Sequence, residues 1–427
     1  MKSIAGAMLD QGGWQAYEGR LLERLWELMD EARDAPADGS SADAFRQGLG
    51  ELEGLEASDL LVGGTPFFWM NVHRLYGSER RGAQAQMIRD LLMTGFDAYF
   101  QALPKGAGVT LSGGERRTLI LPKLGVVIPA VLQAHLRRRS SHILEVEADG
   151  SRHTLDLSQH SHPWRARTLK ISAEGAETVM AVPDAALMAS DVNGIFAEGD
   201  LRPFAQRVGQ ALQWIQTIDG ELCASIHKLI HWYVPLNMLS PSLHPSYSER
   251  DLVGVVHMSE AYEGIRLCES IVHEFHHNEL HALQCTQELT RNDPGAVFYS
   301  PWRPDPRTLS GLLHALHTFC AVVKFHEAAE AVREIDFDRP GIRQRRAKFC
   351  QMLRIGMLQV PAENLTPLGS RILQAIEADV VHQEQVLELG KGTILEAVRA
   401  HAHTWRQTNP DYVQNFRWPE GAPAPVG

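Results

Sequence analysis

Cysteine is scarce in this chain: five in 427 residues, at positions 223, 268, 285, 320 and 350, with no C-x-x-C spacing. That excludes a disulfide framework and leaves thiolate-bound zinc and iron–sulfur clusters without ligands, so the five read as reduced core residues. Long apolar runs are missing too. None reaches the roughly 18 residues that a membrane helix needs, and no membrane partner is expected. Positive charge is in deficit, with 41 Lys and Arg against 52 Asp and Glu and a formal net charge of -11. Neutralising phosphates takes a concentrated basic surface, so a nucleic-acid partner is not expected. The run Arg137 to Arg139 is the exception, and it reads as a solvated helix end. The apolar run before Asp10 is too short for a secretory signal, which makes a cytoplasmic location the expectation.

Histidine, by contrast, is abundant, at 20 residues. His273, Glu274 and His277 spell H-E-x-x-H. On a helix, residues four apart share a face, so His273 and His277 would present two imidazoles to one metal ion, with Glu274 turned partly round the helix from them. Apolar residues before the motif (Ile265, Leu267, Ile271, Val272) and after it (Leu280, Ala282, Leu283) recur at helical spacing, and neither Gly nor Pro occurs between Arg266 and Arg291. The spacing predicts a buried helix through both histidines.

The rest of the chain predicts an α+β fold, predominantly helical with a β-rich middle layer and with the metal site on two helices of the C-terminal half. Residues 14–33, 42–56 and 82–102 carry helical periodicity. From about 115 to 185 short branched or alternating segments predict strands, with Ala148-Asp149-Gly150 as a hairpin turn. A helix is expected at 203–221, strands at 230–239 and 251–259, an extended loop at 300–307 where prolines forbid helix, a helix from Thr308 to Arg333, and two or three more helices between 340 and 400 before a loose Pro-rich end. These divide the chain into an N-terminal helical region at 1–112, a β-rich region with helices at 113–245, and a helical metal-binding region at 246–427, possible as one continuous core.

Two histidines do not complete a metal shell. A metzincin would need Gly at 280 and His at 283, where this chain has leucines, and no Glu soon after the motif marks a gluzincin, so the fold is not expected to be a zincin. His281 lies two turns beyond His273, but three ligands in line along one helix cannot surround an ion. The helix starting at Thr308 offers His314, His317 and His326 instead, with His314 and His317 one turn apart. Either of that pair is a candidate third ligand, the other then supporting it or sitting in the core. His244, His257, His281 and His326 read as structural, His276 as pointing away from the metal, and Trp302 as a packing anchor.

The segment from Ile271 to Leu283, the loop from Pro301 to Arg307 and the helix opening from Leu309 to Ala315 together resemble the HExxH family of peptide-modifying proteins associated with ribosomally made peptide natural products. The resemblance covers roughly 245–330. It implies an iron(II)- and 2-oxoglutarate-dependent oxygenase that uses dioxygen to hydroxylate a side-chain β-carbon of a precursor peptide, with His273, His277 and His314 on the metal. A loop arginine, Arg303 or Arg307, would dock the far carboxylate of 2-oxoglutarate, since a guanidinium pairs with carboxylate bidentately; the alternative is a pair with Asp305 or a helix end. Ala315 stands where the family has Gly, and Thr308 where a proline is common. The competing expectation is a zinc peptidase with Glu274 as general base; a third is a structural metal site in a peptide-binding protein. Imidazole accepts zinc, iron, nickel and copper, so the ligands alone do not fix the metal.

Overall fold

Asp149 and Gly150 both adopt left-handed backbone, at φ 47° and 83°, and close a two-residue turn between facing strands Ile143–Ala148 (β3) and Ser151–Asp156 (β4). Positive φ at both central residues is what such a turn needs to match the twist of its strands, and Asp-Gly supplies it. In β3 the side chains of Leu144, Val146 and Ala148 are buried while Glu147 is exposed, the alternation of a half-buried strand. This computed structural model describes residues 4–8, 16, 19, 106, 108–121, 126–159, 169–173, 176–180, 202–230, 232–236, 246–250, 253–259, 263–291, 296–389 and 395–425. The helices expected at 14–33, 42–56 and 82–102 lie outside the described residues, apart from the isolated positions 16 and 19, as does His244.

Strands Gly108–Leu121 (β1) and Val126–Arg138 (β2) precede β3 and β4, and the four form an antiparallel sheet in the order β1-β2-β3-β4. The arginine run belongs to the end of β2, not to a helix end: Arg137 Nε donates to the Gly106 carbonyl at 2.9 Å, and Arg139 pairs with Glu145 at 2.7 Å. Leu169–Ala173 (β5) and Ala176–Met180 (β6) make a separate antiparallel hairpin. The fold is mixed α+β, as expected.

Ile4–Met8 is a short helix, α1. The helix expected at 203–221 is two. Arg202–Ile218 (α2) buries Phe204, Val208, Ala211, Leu212 and Ile215 on one face. Asp219 then leaves the helical region, and its side chain accepts the Leu222 N–H to start Gly220–Leu229 (α3). Next comes a small mixed sheet in the order β7-β9-β8: Trp232–Leu236 (β7) runs parallel to Val255–Ser259 (β9), and Ser246–Tyr247 (β8) runs antiparallel to it. Every residue of β7 and β9 is buried.

From β9 the chain enters Gly264–Gln284 (α4), which carries the H-E-x-x-H motif. The expected loop returns through the two-residue strands Val297–Phe298 (β10) and Arg307–Thr308 (β11) to Leu309–Ala331 (α5). Thr308 caps α5 by accepting the Gly311 N–H at 3.2 Å. Three further helices follow: Arg339–Leu358 (α6), Pro367–Val386 (α7) and Glu396–Thr408 (α8). Buried side chains from Ala5 to Trp405 form one apolar cluster that joins α2 and α3 to the C-terminal helices.

Two ion-pair knots lock these helices. Glu269 of α4 receives both Nε (3.1 Å) and Nη2 (2.6 Å) of Arg345 on α6, with His326 of α5 at 3.3 Å. On the other knot, Arg346 of α6 reaches Glu327 and Glu330 of α5 and Gln383 of α7. The Pro-rich C-terminal segment is not loose: Phe416 and Trp418 pack on the core, and the Gln359 side chain pairs with Arg417 backbone N–H and carbonyl. Among the described residues no helix is long and apolar enough to cross a membrane.

His257, in the middle of β9, stacks on Tyr247 at 4.4 Å and is fully buried. Burial pushes its pKa down from 6.5 to about 4, offset only in part by the Tyr247 backbone. The folded value lies below the unfolded one, so the unfolded chain binds more protons between pH 6.5 and 4. Stability therefore falls as pH drops through that window, by on the order of 3 kcal/mol from this group. Urea unfolding of the wild type and of His257→Phe across pH 4 to 6.5 should show a markedly flatter pH dependence in the variant; parallel curves would exclude the assignment.

Candidate metal centre

Helix α4 is apolar on the side that meets the core, where Leu267, Ile271, Phe275 and Leu283 are buried. Its histidines occupy the side toward α5. His277 is the hub. Its Nε2 lies 3.1 Å from His273 Nε2, one turn earlier, and its Nδ1 lies 3.1 Å from His314 Nδ1 on α5. His281 stacks within reach of both, with ring centroids 6.1 Å from His277 and 4.5 Å from His314.

The structure thus brings all three expected ligands into one chain of contacts, but through different nitrogens of His277. The three residues whose donor atoms gather within 4.8 Å of one another are His277, His281 and His314. His273 sits on the opposite ring nitrogen of His277. His281, expected to be structural because three histidines in line cannot surround an ion, enters the cluster by another route: only two of the three in-line rings are used, and His314 faces them from a second helix.

The donor chemistry fits a metal. His314 Nε2 is 2.7 Å from Gln284 Oε1, an acceptor, so that nitrogen carries the proton and Nδ1 offers its lone pair toward His277. Gln284 is in turn fixed by donating to Ser310 Oγ at 3.1 Å. This is the support that metal-ligating histidines ordinarily receive on their second nitrogen. Burial and the neighbouring imidazoles hold His277 and His314 well below the usual histidine range, and burial brings His273 to about 4, so all three are neutral at pH 7, as ligation requires.

Glu274 takes another direction. Its Oε2 accepts from Ser248 Oγ at 2.8 Å, and Asn278 donates to Ser248 Oγ at 3.0 Å and to the Glu274 carbonyl at 2.9 Å. Asn278 Oδ1 also accepts the Gly254 N–H at 2.6 Å, which ties α4 to the turn before β9. The carboxyl group is 1% exposed, and burial raises its pKa to about 7 against the lowering hydrogen bonds from Ser248 and Ser246.

Neither loop arginine is committed to the histidines. Arg303 Nε is 3.2 Å and Arg307 Nε 3.1 Å from the two oxygens of Asp305, so one loop carboxylate holds both. Arg250, which no sequence motif marks, lies in the turn after β8, and its positive charge adds to the causes that hold His314 low. Trp302 is the packing anchor expected, stacked on Phe319 at 4.9 Å and 7°. His326 faces Glu269, and His276 turns away from His277 toward Glu279. His317 is separated from the His277 cluster and joins His276 instead. Ser248, Asn278 and Gln284 were not legible as site residues, since each acts through a contact between segments distant in sequence. No protein-family model matches the chain, and a search of curated proteins finds no significant match.

Proposed function

We propose that the chain is an iron(II)- and 2-oxoglutarate-dependent oxygenase that hydroxylates a side-chain β-carbon of a peptide. The observation that carries this reading is the divergence of Glu274 from the histidine cluster. Three imidazoles from α4 and α5 gather as a nitrogen-only donor set, while the carboxylate that a peptidase would aim at a metal-bound water is engaged with Ser248. His277, His281 and His314 would hold the ion, with His273 orienting His277 from its other nitrogen. Three protein ligands would leave an ion there open to cosubstrate and dioxygen, and iron would supply the oxidising power for C–H hydroxylation. The protein's part is to keep His277 and His314 neutral, orient His314 through Gln284, and hold Glu274 aside by way of Ser248 and Asn278.

Arg250, whose charge is felt at His314, is the cation we assign to the far carboxylate of 2-oxoglutarate, with Arg303 and Arg307, which share the exposed Asp305, as the loop alternative. Arg250→Ala is expected to raise the KM for 2-oxoglutarate at least about tenfold with kcat much less affected, the loss of one charge-assisted pair. An unchanged KM in Arg250→Ala together with a raised one in Arg303→Ala or Arg307→Ala would return the role to the loop.

A zinc peptidase remains the second reading, favoured by the Glu274 pKa near neutrality, which suits a general base. Anaerobic reconstitution with iron(II), 2-oxoglutarate and peptide, then exposure to air, separates the two. The oxygenase adds one oxygen to the peptide and forms succinate; cleavage with zinc and no such mass gain would select the peptidase.

A further inference from the structure

Between α4 and α5, on a face of α4 distinct from that of His273 and His277, lie three fully buried polar side chains. His276 and Glu279, three residues apart, project from one face of α4, and His317 meets them from α5. Their exposures are 3%, 4% and 4%. His276 Nδ1 is 2.5 Å from Glu279 Oε2, His317 Nε2 is 3.9 Å from the same oxygen, and the two rings stand nearly perpendicular at 5.5 Å. One donor atom from each of the three lies within 4.8 Å of the others.

A plain hydrogen-bonded His276–Glu279 pair accounts for two members of this group and not the third. His317 Nε2 is buried without a hydrogen bond, the Glu279 oxygen at 3.9 Å being out of hydrogen-bond reach, and a buried polar nitrogen left so is destabilising. An ion among the three gives that nitrogen a partner. Ligand bonds of about 2.0–2.2 Å around a tetrahedral ion set donors about 3.3 Å apart, so the Glu279–His317 separation is already within about 0.6 Å of what ligation needs. A cavity of about 40 Å³ adjoins the group, lined by His276, His317, Cys320, Lys324 and Asp379. It is large enough for a water molecule, the usual fourth ligand of an open site. Lys324 and Asp379 pair at 2.9 Å in its wall, which ties α5 to α7 there.

We infer that His276, Glu279 and His317 form a second site for a divalent first-row metal ion, separate from the cluster of His277, His281 and His314. Two imidazoles and one carboxylate suit zinc, iron(II) or manganese(II), and the carboxylate offsets part of the ion's charge in a buried setting, which the all-imidazole cluster does not. The inference stands independently of the oxygenase reading, because it rests on different side chains.

Zinc titration of metal-free protein, followed by equilibrium dialysis and elemental analysis, tests it directly. The wild type is expected to bind two equivalents, Glu279→Gln and His317→Gln one each, His314→Ala one, and the Glu279→Gln/His314→Ala double variant none, with folding of each checked by circular dichroism. A wild-type stoichiometry of one that disappears in Glu279→Gln and persists in His314→Ala would support this site while sinking the first. The inference is overturned if the wild type binds no zinc, if it binds one equivalent that His314→Ala removes, or if both folded variants at Glu279 and His317 keep the wild-type count.

Discussion

Alanine at His277 is expected to weaken metal uptake at the three-imidazole cluster by more than about 100-fold, and with it any turnover that depends on that ion. His277 makes contact through both ring nitrogens, with His273 on one side and His314 on the other, each at 3.1 Å. Without it, His281 and His314 remain as two rings that cannot close a shell. Loss of a supporting group alone commonly costs 10–100-fold in metal affinity, and loss of the central ligand is expected to exceed about 100-fold. Gln284→Ala, which removes only the acceptor that orients His314, should fall in the smaller range. Competition with a chromophoric chelator measures both. Equal affinity in wild type and His277→Ala at this cluster would mean that these rings are a hydrogen-bonded core and not a ligand set. The fold should survive the change, since the ring removed is neutral and its desolvation opposes any charge.

The largest stability loss is expected at Arg346→Ala. The guanidinium is 1% exposed, and three helices meet on it: Nε donates to Gln383 Oε1 at 2.6 Å, Nη1 lies 3.3 Å from Glu330 Oε2, and Nη2 lies 3.0 Å from Glu327 Oε1. Gln383 also donates to Glu327 Oε2 at 2.6 Å, so the four side chains form one network. Removing the arginine leaves Glu327 and Glu330 beside a buried amide, with Glu330 keeping only Arg343 at 3.6 Å and Glu327 a third exposed. Breaking a fully buried pair costs about 3–5 kcal/mol; with Glu327 partly screened by water and Glu330 still beside Arg343, the expected loss is about 2–3 kcal/mol. Urea unfolding of Arg346→Ala should show the unfolding free energy lowered by that amount, read as a lower midpoint at unchanged slope. A loss below about 1 kcal/mol would show that water reaches the network and screens it.

Much of this architecture was legible where local chemistry dictates it. The Asp149-Gly150 turn, the alternation in β3, the helix start near Thr308 and the unbroken apolar periodicity through residues 265–283 each depend on near neighbours in sequence. What the sequence obscured depends on distant ones. The helix break at Asp219 is a capping choice that apolar spacing alone does not reveal. Arg137 to Arg139 read as a helix end because charge density is blind to backbone conformation; their carbonyl and carboxylate partners are supplied by neighbouring strands and turns. The C-terminal segment looked loose from its prolines, yet Phe416 and Trp418 find a surface made by elements far upstream.

At the site, the pairing of α4 with α5 was foreseeable from two histidine-bearing helices, while the sorting of their histidines was not. Side chains at 276 and 277 differ by one step of about 100° round the helix, and so do neighbouring positions on α5. Which ring of one helix meets which of the other is set by their crossing geometry and by Glu279, whose carboxylate draws His276 and His317 together. Collinear ligands cannot surround an ion, and His281 joins the cluster because only two of the three in-line rings gather there while His314 faces them from the other side. The two loop arginines illustrate the converse problem. Their chemistry suited a carboxylate, and Asp305, between them in sequence, is the one they hold.

Diffraction from crystals grown with zinc, recorded at the zinc absorption edge, tests the central claim most directly. An anomalous peak is predicted between α4 and α5 at about 2.0–2.1 Å from ring nitrogens of His277, His281 and His314. No peak among those three rings, or an ion there that leaves His314 out of its shell, would contradict the account.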